Sequence, residues 1–134
     1  MQSVPPRPLS VLVVDSHPDC ADSLADLVAA WGHEARVARG GAEALRLAAE
    51  RPPDVVFLDP RLPDLDGYEV ARRLGEMGGG RPLLAVVTTL AGPRHRERSR
   101  AATVAHHFLK PAEPCELRKV LECRLAGSYP LGTN

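Results

Sequence analysis

At 134 residues the chain can enclose one core between a sheet and helices on both faces, and it leaves no room for a second such unit. Its 17 basic and 17 acidic residues cancel, which removes any whole-chain pull toward nucleic acid or an anionic membrane. Three cysteines without CxxC spacing argue against a disulfide framework or a zinc site, and the absence of a signal-peptide core or of an apolar run near the ~20 residues of a membrane span places the chain in the cytoplasm.

Residues 1–8 are proline-rich and are expected to form a flexible tail, with order beginning at Leu9. The run Ser10 to Val14 is continuous, short and rich in Val and Leu, the pattern of a strand buried on both faces of a parallel sheet. Asp19 is expected to cap a helix carrying Leu24, Leu27, Val28 and Trp31 at helical spacing, with Gly32 as its stop. Glu34 to Ala38 alternates like a strand with one wet side, and Ala42 to Glu50 reads as a helix ended by Pro52-Pro53.

Asp54 to Leu58 is the third expected strand. The following stretch, Asp59-Pro60-Arg61-Leu62-Pro63-Asp64-Leu65-Asp66-Gly67, is too rich in Pro, Asp and Gly for helix or sheet, so Asp64 and Asp66 read as turn residues, Asp66 starting the next helix. That helix begins near Tyr68 and is expected to end at Gly78-Gly79-Gly80, before a strand from Leu83 to Val87. Pro93 to Ala102 carries Arg94, Arg96, Arg98 and Arg100. Without interleaved aromatics, and with Glu97 interrupting it, this reads as a solvated helix or a protein-facing surface rather than a nucleic-acid site. His106 to Leu109 forms the last strand, and Leu117, Val120, Leu121 and Leu125 share one face of a final helix closed by Gly127.

Five alternations of strand and helix imply an α/β fold, a doubly wound five-stranded parallel sheet of flavodoxin-like order 2-1-3-4-5, spanning residues 9–126 with a short tail at 127–134. In such a sheet the strand ends share one edge, where ligands bind. Four apolar runs here end on Asp15, Asp59, Thr88 and Lys110, so two carboxylates, a hydroxyl and an ammonium should converge. A carboxylate can attack phosphorus to form an acyl phosphate, and phosphoryl transfer requires mainly positioning and charge neutralisation. Asp59 is the expected nucleophile and Lys110 the expected cation.

These residues in this order resemble the receiver domain of two-component response regulators. The resemblance runs from Leu9 to about Leu125 through Val11-Leu12-Val13-Val14-Asp15, Asp59 with Leu62-Pro63 and Asp66-Gly67-Tyr68-Glu69, Thr88, and Phe108-Leu109-Lys110-Pro111. It implies a phosphoacceptor taking its phosphoryl group from a histidine kinase or phosphotransfer protein, with Mg²⁺ held by Asp15, by Asp59 and by the backbone carbonyl of Arg61. It also implies that Thr88 moves onto the phosphoryl group, that the coupled aromatic position is occupied by His107, and that Pro111 follows a cis peptide bond. Beyond its own phosphotransfer and dephosphorylation no enzyme activity is expected. The signal would pass to a protein partner in trans or to the rest of a larger regulator or hybrid kinase.

The chain departs from the family at two places. Ser16 stands where a second acid usually follows the first strand; it brings no charge and holds metal only weakly or through water, so Mg²⁺ affinity should fall. Thr89 replaces the usual Ala or Gly and would crowd the acceptor, while Arg61 reads first as a surface arginine and, as the alternative, could fold over the phosphoryl group and slow or guide water attack. These departures point to the alternative, a degenerate pseudo-receiver acting as a phosphorylation-independent interaction module. A flavin- or nucleotide-binding enzyme on the same sheet is disfavoured, since neither GxxxxGKS/T nor GxGxxG occurs and the strand-end loops are acidic.

Overall fold

Strand and helix alternate throughout residues 7–77 and 82–126, the part of the chain that the computed structural model describes. In order these are β1 (Ser10–Val14), α1 (Pro18–Ala30), β2 (Glu34–Ala38), α2 (Gly41–Glu50), β3 (Val55–Leu58), α3 (Gly67–Glu76), β4 (Leu83–Thr88), α4 (Pro93–Ala101), β5 (His106–Leu109) and α5 (Pro114–Ala126). All strand pairs are parallel, and the sheet order is β2-β1-β3-β4-β5, the expected flavodoxin-like arrangement. The stops expected at Gly78 to Gly80 and at Gly127, and both tails apart from Arg7 and Pro8, lie outside the described residues.

The sheet divides the core in two because successive strand side chains point to opposite faces. Val11, Val13, Phe57, Ala85 and Val87 pack on one side beneath Ala21 and Val28 of α1 and Leu117, Val120 and Leu121 of α5. Leu12, Val14, Val56, Leu58 and Leu84 face the other way, toward Ala44 and Ala48 of α2 and Val70, Ala71 and Leu74 of α3. Each fully buried Val, Leu or Phe contributes on the order of 1.5–3 kcal/mol. These two layers hold the central strands rigid and fix where their ends emerge.

Helix ends correct two expectations. Asp19 is not the cap of α1: the cap lies two residues earlier at His17, without a side-chain bond, and the helix starts at Pro18, whose fixed φ and missing N–H suit the first helical position. Asp19 instead places its charge in the first turn. Gly32 does end α1, at φ 94°, a left-handed conformation in which its N–H reaches Ala29 O (3.0 Å) and His33 N–H reaches Val28 O (3.2 Å). β2 lacks the expected alternation, its middle residues being half-buried. Arg36 lies over the end of α2, donating to Leu47 O (2.8 Å) and Arg51 O (2.7 Å), so its guanidinium satisfies carbonyls at the helix end.

His33 ties the turn after α1 to the start of the sheet, since its Nδ1 accepts the Leu9 N–H at 3.0 Å. Burial, and then the nearby Arg118 charge, push its pKa below the usual histidine value. The fold therefore prefers the neutral ring. The stability this contributes is complete above ~6.5, the unfolded value, and is lost as pH falls through the lower folded value. Urea midpoints taken at about pH 7.5 and about pH 5 should fall more for the native chain than for His33→Gln, which keeps an acceptor but does not titrate. Equal falls would show that His33 does not carry this dependence.

Candidate functional site

Backbone ladders carry the four strand-end residues to one edge. Asp15 N donates to Ala38 O (3.0 Å), Asp59 N to Val14 O (2.8 Å) and Lys110 N to Thr88 O (2.9 Å), continuing the sheet pattern just past β1, β3 and β5. Asp15 and Asp59 are 7% exposed and Thr88 is fully buried. The Lys110–Pro111 peptide is cis, as the resemblance implied.

Lys110 Nζ lies 2.8 Å from Asp15 Oδ2 and 2.9 Å from Asp59 Oδ2, bridging the two carboxylates. Burial opposes its charge, but the hydrogen bonds it donates to Asp15 and Asp59, with their negative charges, outweigh that and raise its pKa above the ordinary lysine value. The other oxygen of Asp59 accepts from Thr88 Oγ1 (3.1 Å) and from the Arg61 N–H (3.0 Å). Asp15 Oδ1 accepts from the His17 N–H (2.9 Å), and the Leu90 N–H donates to Thr88 Oγ1 (3.2 Å). Two carboxylates thus meet one ammonium, and both acidic side chains are oriented by more than one donor.

The two unusual residues both contact Arg61. Ser16 Oγ donates to the Arg61 carbonyl (3.1 Å), and Arg61 Nη1 donates to Thr89 Oγ1 (2.6 Å). A cavity of about 600 Å³ opens above Asp59 between Asp15, Ser16, Arg61, Thr89 and Lys110. A second, of about 540 Å³, continues from it along Leu24 and Leu27 of α1 toward Leu117 of α5.

The donor set suits a small hard cation, because two carboxylates and the Arg61 carbonyl are oxygen ligands that Ser16 and Lys110 already gather into one cluster. The carbonyl has a second lone pair free beside its bond to Ser16. Among the described residues no group of three or more acidic, His or Cys side chains is arranged to hold a metal, so Asp15 and Asp59 would provide the only charged ligands. With Ser16 in place these donors would fit a cation in kind and be short of charge for it.

His107 lies apart from these groups. It is half-buried on β5, and its Nδ1 sits 2.8 Å from Ser99 Oγ, the one buried residue of α4. Burial lowers its pKa, the Leu90 backbone raises it, and Arg96 and His95 lower it further. Other contacts around α4 gave no sequence signal: Tyr68 OH is 3.4 Å from His95 Nδ1, the Arg98 guanidinium stacks 4.5 Å over the Tyr68 ring, and Arg98 pairs with Asp66.

The loop after Asp59 is fastened at both ends. Asp66 caps α3 by accepting the Tyr68 N–H (3.0 Å), as its place before Gly67 suggested. Asp64 is more than a turn residue: its two oxygens accept the N–H groups of Gly41 (2.8 Å) and Ala42 (3.0 Å), which cap α2 from another loop and lower its pKa. No local pattern could reveal that, because the partners are 22 and 23 residues away.

The chain belongs to the response regulator receiver domain family, whose sequence model matches residues 11–122. It is 28% identical over 113 residues to the sensor histidine kinase RcsC of Salmonella typhi, covering 84% of this chain and 12% of that one. It is 39% identical over 79 residues to the response regulator MprA of Mycobacterium sp. (strain KMS), covering 59% of this chain and 34% of MprA. The chain thus spans only a small part of either relative. In fold it is similar to a CheY-like response regulator receiver domain protein from Methanospirillum hungatei JF-1, with a TM-score of 0.84, 22% identity, and 90% and 96% of the two chains covered.

Proposed function

We propose that the chain accepts a phosphoryl group on Asp59 from a phosphohistidine of a histidine kinase or phosphotransfer protein. The observation that carries this reading is the Lys110 ammonium bridging Asp15 and Asp59 while Thr88 donates to the opposite oxygen of Asp59. In the transfer an Asp59 oxygen bonds to phosphorus as the N–P bond to the donor imidazole breaks, and the electron pair leaves on the ring nitrogen. Lys110 neutralises the charge that builds on the phosphoryl oxygens, and its raised pKa keeps it protonated throughout. Thr88 exchanges its bond to the carboxylate for one to a phosphoryl oxygen.

Mg²⁺ would be held by Asp15, Asp59 and the Arg61 carbonyl, with Ser16 acting weakly or through water, and when bound it supplies further neutralisation of the phosphoryl oxygens. Movement of Thr88 pulls on the Leu90 N–H and so on the loop leading to α4, whose contact with β5 runs through Ser99 and His107. That chain of bonds supports His107 as the switch residue and the α4 surface as what a downstream partner reads, whether in trans or in a larger regulator or hybrid kinase. Among the described residues no helix is long and apolar enough to cross a membrane, which supports cytoplasmic placement.

Ser16 and Thr89 speak for a pseudo-receiver, but the joint orientation of Asp59, Lys110 and Thr88 favours the working acceptor. Incubation with acetyl phosphate and Mg²⁺ should add one phosphoryl mass to the native chain and none to Asp59→Asn. A folded native chain that gains no mass at high Mg²⁺ would favour the interaction module instead.

A further inference from the structure

Arg61 is bound into the site at three points. Its N–H holds Asp59 Oδ1 at 3.0 Å, its carbonyl accepts Ser16 Oγ at 3.1 Å, and its guanidinium crosses to Thr89 Oγ1 at 2.6 Å. The side chain therefore spans the mouth of the cavity above Asp59, from the loop after β3 to the loop after β4. Its resting partner there is a neutral hydroxyl, and among the described residues no carboxylate lies within ion-pair distance of it. The guanidinium keeps its full charge and most of its donors free, facing the space that a phosphoryl group on Asp59 would enter.

The charge balance gives that placement a meaning. Asp15 and Asp59 contribute two negative charges and Lys110 one positive charge, and the residue beside Asp15 is the neutral Ser16 rather than a further acid. A phosphoryl group adds negative charge over three oxygens. The site is poor in what attracts a divalent cation and has a second permanent cation at its rim.

We propose that Arg61 is a phosphoryl ligand in this receiver, turning from Thr89 onto the phosphoryl oxygens to supply part of the neutralisation that the metal site, short of an acid, provides weakly. This rests on Asp59 being the acceptor. Two N–H groups of the planar guanidinium match two phosphoryl oxygens, a geometry that an ammonium cannot copy. With acetyl phosphate the O–P bond to the donor breaks as Asp59 oxygen bonds to phosphorus, and acetate carries off the electron pair; Arg61 gives up no proton. In the reverse-sense loss, water attacks phosphorus and Asp59 leaves as carboxylate, so a guanidinium over the open face also slows water's approach. The same cation, across the cavity from Asp15, opposes Mg²⁺ binding.

Removing the charge should therefore move two quantities in opposite senses, which a merely structural arginine would not do. In the full chain, Arg61→Gln is expected to bind Mg²⁺ about threefold more tightly by calorimetry, and to take up phosphoryl from acetyl phosphate at saturating Mg²⁺ about tenfold more slowly, with a shorter acyl-phosphate half-life. Arg61→Lys should restore the uptake rate only in part. Native values of rate, half-life and Mg²⁺ affinity in a folded Arg61→Gln, each within about twofold, would overturn the role of Arg61 and leave Asp59 as acceptor. Failure of the native chain itself to gain a phosphoryl group would overturn both.

Discussion

Replacing Lys110 with Ala is expected to cost about 3–5 kcal/mol at neutral pH, the scale seen when one partner of a buried ion pair is removed. Asp15 and Asp59 keep less than a tenth of their surface exposed and share this single ammonium, so the variant leaves two like charges together without a counter-ion. Because the folded pKa of Lys110 is raised, its contribution is complete below ~10.4, the unfolded value, and is lost only as pH climbs through the higher folded value. Urea unfolding at pH 7 measures the loss. The cycle with Asp15→Asn isolates its cause: the double variant should recover part of the stability, whereas simple additivity would mean that charge repulsion is not what the lysine relieves. Phosphoryl uptake should also fall by about 10²–10³-fold, as for loss of a preorganised donor to a developing charge.

Gly67→Ala should be comparably severe for a steric reason. A Cβ at residue 67 would stand 2.2 Å from the Cα and carbonyl oxygen of Pro60 and 2.5 Å from its carbonyl carbon. These are backbone atoms and cannot rotate away, so the loop from Pro60 to Asp66 must shift. That loop supplies the Arg61 N–H to Asp59, the Arg61 carbonyl to Ser16 and Asp64 to the start of α2. Stability should fall by about 3 kcal/mol, the upper end for overpacking, and phosphoryl uptake by up to ~100-fold from misplacement near the reacting atoms. A variant with native urea midpoint and native uptake would show that the close approach is not required.

The sequence made the sheet legible because each central strand is a short apolar run, and it made the site legible because these three runs and the edge strand β5 end on two carboxylates, a hydroxyl and an ammonium. Asp66 and Gly32 were equally plain, since capping and left-handed stops are local signals. Asp19 misled because Pro18 takes the first helical position, and two neighbouring residues then compete to start one helix. The remaining contacts are long-range products of the crossovers. Asp64 reaches α2, Arg36 reaches the end of α2, Arg61 reaches Thr89 and His107 reaches Ser99, and no spacing rule joins such pairs. Arg61 is the sharpest case: two residues beyond Asp59 it reads as one more loop cation, and only the fold sets its guanidinium across the cavity mouth.

The most direct measurement is to phosphorylate the native chain with acetyl phosphate and Mg²⁺, reduce it with borohydride, which converts an acyl phosphate of Asp to homoserine, and sequence the peptides by mass spectrometry. The account predicts homoserine at residue 59 and at no other acidic position. Homoserine at residue 15 or 64 with residue 59 unmodified, or phosphoryl label resistant to borohydride, would contradict it.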